Sequence, residues 1–246
     1  MSTTSQTRSV SRWLAAGIGA AVGAYATYVG VTWSRYGHKA PARPEEEDSL
    51  LDRFMPTYEV VERKHVRVAA PAAVTLAAAC EQDLFESPVV RAIFKTREVV
   101  LGAAPDSRSR PHGLLPLVES LGWGVLAEDP GREIVVGAVT RPWEANVTFR
   151  AVPPDQFAAF DEADYVKIVW TLRADPLGEA ESIFRTETRA MTTDAASRAT
   201  FRWYWAFFSP GIRLIRWLLL APVKVEAERQ VRAADAGPRP AADYSS

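Results

Sequence analysis

Between residues 164 and 194 the chain alternates in two arms about a single turn, and this stretch constrains the fold more than any other. In the first arm Val166, Ile168, Trp170 and Leu172 share one face, and Lys167, Thr171 and Arg173 share the other. In the second arm Phe184, Thr186, Thr188 and Ala190 oppose Arg185, Glu187 and Arg189. A repeat of two residues is that of a β-strand, whose successive side chains point to opposite faces. The "DPLGE" between the arms makes them a hairpin. From Asp194, a cap candidate, the period lengthens. At about 100° per residue, Phe201, Tyr204, Trp205, Phe208, Ile212, Ile215 and Leu219 fall on one arc of a helix. Arg198, Arg202, Arg213 and Arg216 cluster on another, with Trp203 and Trp217 at its border. Pro210 removes a backbone hydrogen bond beside Gly211 and predicts a kink. An antiparallel sheet followed by one long amphipathic helix must bury that helix against one sheet face. The same arginines, costly at a bilayer centre, argue against "RWYWAFFSPGIRLIRWLLL" as a membrane span.

Upstream, "YEVVERKHVRVAAP" reads as a strand, "PAAVTLAAACEQ" and "SPVVRAIFKT" as short helices, and "REVVLGA" as a strand. "LGWGVLAEDPGREIVVGAVT" is a hairpin about Asp129, Pro130 and Gly131, and "EANVTFRAV" is a further strand. The expectation is an α+β domain over residues 57–233: a seven-stranded antiparallel curved sheet around a long C-terminal helix. The chain's 246 residues, 48% of them hydrophobic, suffice for such a core.

This order of elements, with "FRTETRAMTTD" leading into "FRWYWAFFSPGIRLIRWLLL", resembles the START-like superfamily, also called the polyketide cyclase/dehydrase and lipid-transport (SRPBCC) superfamily. The resemblance spans residues 58–232 and rests on element order rather than a sharp motif. It implies a helix-grip fold with a cavity for hydrophobic small molecules between sheet and last helix. It implies no single activity, and no catalytic residue carries over from it.

The N-terminal part is different in kind. Residues 13–33 hold no charge, begin and end on Trp13 and Trp33, and are flanked by Arg8, Arg12, Arg35 and Lys39. At about 1.5 Å per residue such a helix crosses a hydrocarbon core of about 30 Å. We read it as a single-pass anchor behind a polar leader, residues 1–12. Two alternatives stay open: a signal peptide cleaved after Ala26, and a Gly/Ala-rich amphipathic or disordered leader. Ala15, Gly19 and Gly23, spaced by four, would let a second such helix approach closely. Residues 34–56, Pro-rich and then acidic at Glu45, Glu46, Glu47 and Asp48, read as a solvated linker. Residues 234–246 read as a disordered tail.

A formal net charge of -1 disfavours a general nucleic-acid binder. The single cysteine, Cys80, cannot form an internal disulfide and reads as a buried thiol. No metallohydrolase, nucleophile-elbow, phosphate-loop or dinucleotide pattern is present, and His38, His65 and His112 are too scattered for a metal site. No cofactor and no catalytic residue are assigned. Glu187, between Arg185 and Arg189, reads as part of a solvated cross-strand ladder, the alternative being an inward acid or base. The expected ligand-binding residues are Trp123, Trp143, Trp170, Phe184, Thr186, Thr188, Phe201, Tyr204, Phe208 and Ile215: aromatic walls with a few hydroxyls. Phe201, Tyr204, Phe208 and Ile215 would form the helix wall, with Trp170 and Phe184 opposite.

Two functions compete: a membrane-tethered domain binding a hydrophobic small molecule or lipid, and a cyclase or aromatase using the same cavity. A third reading is a scaffold whose cavity is filled by its own side chains. A titratable side chain pointing into the cavity would favour the enzyme.

Overall fold

In the computed structural model, which describes residues 3–38, 41–103 and 111–236, the strands form one six-stranded antiparallel sheet. The strands are β1 (Val60–Val68), β2 (Gly124–Asp129), β3 (Glu133–Thr140), β4 (Phe149–Arg150), β5 (Val166–Pro176) and β6 (Ser182–Thr192). They run in the order β1-β6-β5-β3-β2, and β4 pairs with the end of β3 that β2 does not reach. The long hairpin keeps unbroken register from Val166 opposite Thr192 to Pro176 opposite Ser182.

The expected seventh strand is a helix. Residues 97–101 complete α4 (Pro88–Leu101). Ser87 caps its first turn, Pro88 occupies the first helical position, and Gly102 closes it with a left-handed φ of 70°. These end signals override the strand preference of Val99 and Val100, which stand 71% and 63% exposed.

On the inner face lie α3 (Ala72–Glu81), α7 (Ala195–Leu218) and α8 (Leu220–Asp235). The expected single terminal helix is divided at Leu219, while Pro210 lies within α7. Asp194 caps α7 through the backbone N–H groups of Ala196 and Ser197. α3 and α8 cover the turn end of the hairpin around Phe184, Leu172 and Val223. α7 covers the other end, with Phe201 and Trp205 packed near Val60, Val166 and Ala190.

The outer face is covered as well. α2 (Ser49–Asp52) and the residues after it bury Leu51, Phe54 and Met55 against Val135 and Val169, beside Phe157 of α6 (Pro154–Phe157). The acidic run is solvated at Glu45 and Glu47, but Asp48 is buried and caps α2 through Leu51 N–H. Under this cover Glu187 is buried, accepting from Arg63 Nε at 2.8 Å and Arg189 Nε at 2.7 Å. The solvated ladder expected here is instead a covered ion cluster, because a segment distant in sequence lies across it.

α1 (Thr3–Ser34) is one continuous helix whose C-terminal part docks antiparallel on α7. Tyr25 Oη donates to Phe207 O at 2.6 Å, Tyr28 Oη meets Ser209 Oγ at 2.8 Å, and Arg202 Nε donates to Trp33 O at 2.8 Å. N-terminal to Tyr25 the described side chains are exposed, and open space surrounds Gly19 and Gly23. The side chain of Ala15, residues 1–2 and the tail beyond residue 236 lie outside the described residues. Among the described residues one helical run is long and apolar enough to cross a membrane, and it is Ala195–Asp235, not the 13–33 segment. That run is α7 with α8, lying on the sheet with its arginines engaged.

Candidate functional site

The middle of the inner face is not filled by helix. α4 stands off the sheet beside α7, and between them opens a cavity of about 820 Å³. This lies within the range of small-molecule sites, about 300–1,000 Å³. Its floor is the sheet at Val60, Ile168, Thr188 and Ala190. Its roof is α4, through Ala92, Ile93, Thr96, Arg97 and Val100, and one wall is α7. Pro142, Val147 and Phe149 close a side. The two helices touch where α7 has no side chain: a Cβ on Gly211 would come to 3.0 Å from Ile93. Arg97 pins the loop to α4, its Nη2 donating to Pro142 O at 2.9 Å and Glu144 O at 3.1 Å.

Six of the ten expected ligand residues line this space: Trp123, Thr188, Phe201, Tyr204, Phe208 and Ile215. Tyr204 stacks on Phe208 with centroids 4.9 Å apart. The other four lie elsewhere. Trp170 and Phe184 are in the core under α3 and α8, Trp170 edge-on to Trp123 at 6.3 Å. Trp143 packs at the margin of the Phe201 cluster. Thr186 is buried beneath Arg216.

Arg216 departs from the separate basic arc to which the sequence reading assigned it. It points to the sheet and lines the cavity. Its Nη1 donates to Thr186 Oγ1 at 3.1 Å, and its guanidinium lies 4.9 Å from the Trp170 ring centroid. Burial pulls its pKa down to about 10, with Glu62 opposing the shift. The rest of the stripe is engaged too. Arg202 lies 3.5 Å over the Trp33 ring, Arg213 Nε donates to Glu62 Oε1 at 2.5 Å, and Arg198 lies 3.4 Å from Glu59. Thr188 Oγ1, on the cavity floor, is buried without a hydrogen-bond partner.

The sequence reasoning missed Arg216, Arg97 and the α4 roof. A signal for Arg216 was available: at about 100° per residue it lies only about 20° from Trp205 around the helix. Arg97 and the roof were hidden by the reading of residues 97–103 as a strand.

Glu62, opposite Thr188 on β1 and held by Arg213, lies beside the cavity but is not among its lining residues. His38, His65 and His112 are exposed, and Cys80 sits under α8, where burial pushes its thiol up to about 11. No carboxylate or imidazole is among the cavity-lining residues described, and no group of three or more His, Cys, Asp or Glu able to hold a metal ion occurs among the described residues.

No family model matches the chain, and no curated protein does. Among solved structures the chain is similar to the ZhuI aromatase/cyclase from Streptomyces sp. R1128, at 15% identity over 71% of this chain and 97% of that one, TM-score 0.23. It is similar to protein CV1439 from Chromobacterium violaceum, at 12% identity over 63% and 96%, TM-score 0.23. A third is norcoclaurine synthase from Thalictrum flavum, solved with dopamine and hydroxybenzaldehyde, at 10% identity over 71% and 96%, TM-score 0.19. The architecture itself, an antiparallel sheet with a long C-terminal helix laid on it, is the helix-grip arrangement that the sequence resemblance implied. Likenesses this distant carry no argument about what the cavity holds.

Proposed function

We propose that this chain is a membrane-tethered START-like domain that binds a hydrophobic small molecule or lipid in the cavity between sheet, α4 and α7. The observation that carries the reading is the cavity itself, about 820 Å³ with a mostly apolar lining. A space of that size lined by aromatic side chains is stabilised by an apolar occupant, about 25 cal/mol for each Å² removed from water. A scaffold filled by its own side chains would leave no such space. A cyclase or aromatase would need an acid or base to move protons, and the described lining offers no carboxylate or imidazole for it, only the phenols of Tyr25 and Tyr204 and the guanidinium groups of Arg97 and Arg216. Binding is therefore the better-supported use.

The tether is supported by α1, which leaves the domain as an uninterrupted helix with Trp13 77% exposed. Exposed Trp203, Phe207, Leu214 and Trp217 add apolar surface along α7, the helix on which α1 docks.

Native mass spectrometry of the full chain extracted from membranes tests the cavity. An apolar molecule should co-purify with the wild type and be lost in Ile168→Trp, which fills the floor. Retention of the same molecule in the filled variant would overturn the assignment. An alkaline carbonate wash tests the tether: the chain should stay with the membrane, with its N-terminus upstream of Trp13. A mature N-terminus at Thr27 would mean cleavage and a released product.

A further inference from the structure

We infer that Arg216, with Thr186 and Thr188, forms an anion-recognition subsite on the sheet side of the cavity, so that the ligand is an apolar molecule ending in a carboxylate or a comparable acid. This rests on the cavity being a ligand site and adds what the ligand must carry.

The first support is the charge count at this end. Arg213 and Arg216 face the sheet near a single carboxylate, Glu62, and Arg213 holds it at 2.5 Å. Among the described residues no carboxylate lies within 4.0 Å of Arg216. Its guanidinium remains charged at neutral pH, since even the lowered value of about 10 lies well above it. Lys64, opposite Thr186 on the same face of β1, adds no negative charge. One positive charge is thus left without a counterion in an apolar space, an arrangement that is costly unless paired.

The second support is hydrogen bonding. A guanidinium carries five N–H donors in a planar fork that matches a carboxylate. The hydrogen bond to Thr186 uses one, and the Trp170 ring takes up one face of the plane. Thr188 Oγ1 is a buried hydroxyl with no partner. Thr186 and Thr188 are two apart on β6 and so point the same way, about 7 Å from each other. A carboxylate here would receive the fork of Arg216 and a bond from the Thr188 hydroxyl, removing both deficits together. An alcohol headgroup of the same size would answer the hydroxyl and leave the charge unpaired.

The experiment uses the full chain in detergent micelles and native mass spectrometry with two matched probe pairs. One pair has a chain-shaped body, palmitic acid against hexadecanol. The other has an aromatic body, pyrenebutyric acid against pyrenebutanol. Each pair is offered in equimolar competition at pH 7.5 to the wild type and to Arg216→Gln, Arg216→Lys and Arg97→Gln. The wild type should take the acid over the alcohol at least tenfold in whichever pair fits. Arg216→Gln should bring the ratio to within about twofold while still binding the alcohol, and Arg216→Lys should keep most of the preference. Absence of binding by every probe would defeat the cavity reading itself. Alcohol and acid bound equally by the wild type would leave the cavity and overturn the subsite, whatever the variants do. A preference that survives Arg216→Gln and disappears in Arg97→Gln would overturn it as well, moving the headgroup to the α4 side.

Discussion

Phe201 and Phe208 lie seven residues apart on one arc of α7, yet truncating them should have unequal consequences. Phe201 is 2% exposed and packed edge-on to Tyr36 at 6.1 Å, with Tyr204 and Trp205 at 6.0 and 6.2 Å. Phe201→Ala leaves a hole that these rings cannot collapse into, at a cost of about 3–5 kcal/mol. Phe208 is half-buried, stacks on Tyr204 at 4.9 Å and faces a space already empty. Phe201 borders the same space, but it is almost wholly enclosed by the rings of Tyr36, Tyr204 and Trp205, whereas removal of Phe208 mainly enlarges the cavity. That removal loses roughly 40–60 Å² of apolar contact, or about 1–1.5 kcal/mol. For a chain of this size 1 kcal/mol shifts Tm by about 2–4 °C. Thermal unfolding of the full chain followed by tryptophan fluorescence should thus show a drop of about 6–20 °C for Phe201→Ala and about 2–6 °C for Phe208→Ala. Retention of co-purifying ligand should rank the other way relative to stability, with Phe208→Ala losing ligand while still folded. A Phe208→Ala protein as unstable as Phe201→Ala would refute the reasoning, since it would mean that Phe208 is core and the cavity beneath it closed.

Glu133 is buried beside Asp48 and accepts from Thr171 Oγ1 at 2.8 Å, and burial first, then Asp48, raises its pKa to about 8. The unfolded chain releases this proton near pH 4.5 and the fold only near 8, so stability falls as pH rises through that window. Glu133→Gln should flatten the slope and melt above the wild type at pH 8, and an unchanged slope in the urea midpoint would count against it. Cys80, its thiol pushed up to about 11, should resist a thiol-reactive disulfide at pH 8 until the protein is unfolded, and fast modification of the folded chain would show the thiol to be open. Arg202→Ala removes both the hydrogen bond to Trp33 O and the guanidinium over its ring, and should cost about 1 kcal/mol while speeding proteolysis near residues 34–45. Unchanged proteolysis would mean that α1 is held without it.

The hairpin and the terminal helix were legible because each writes its own period. The alternation of Val166, Ile168, Trp170 and Leu172 marks their common face, and Phe201 and Trp205 are buried as their arc requires. Residues 97–101 were misread because two consecutive valines favour a strand locally, and the helix end at Gly102 decides otherwise. Leu51, Phe54 and Met55 carry no local mark of their destination. Three apolar residues in a Pro-rich, acidic stretch look like linker until the sheet face that they cover is known. Arg216 was missed for a related reason: its charge grouped it with the other arginines, although its angle on the helix placed it beside Trp205. The four candidate residues that fall outside the cavity were chosen by residue type and face. The inner face is longer than the cavity, and α3 with α8 fill the end where Trp170 and Phe184 lie.

The continuity of α1 links the tether to the cavity. From Trp13 to Tyr25 the helix rises about 18 Å, short of the roughly 30 Å of a bilayer core. The missing length lies C-terminal to Tyr25, in the turns that dock on α7. If the uncharged 13–33 segment spans the bilayer, its docked turns enter the apolar layer, and the part of α7 bonded to Tyr25 enters with them. That part carries Phe207, 45% exposed, and both Tyr25 and Phe207 border the cavity. A flexible linker at this point would let the domain float free of the surface; a helix that served as both anchor and packing partner would fix its orientation. The exposed Val99 and Val100 of α4 lie across the same opening, with Val100 itself lining it. On that proposal the apolar side chains that water would penalise, and the cavity that opens among them, would face lipid together, and a ligand would enter from lipid with the end offered to Arg216 leaving the interface last.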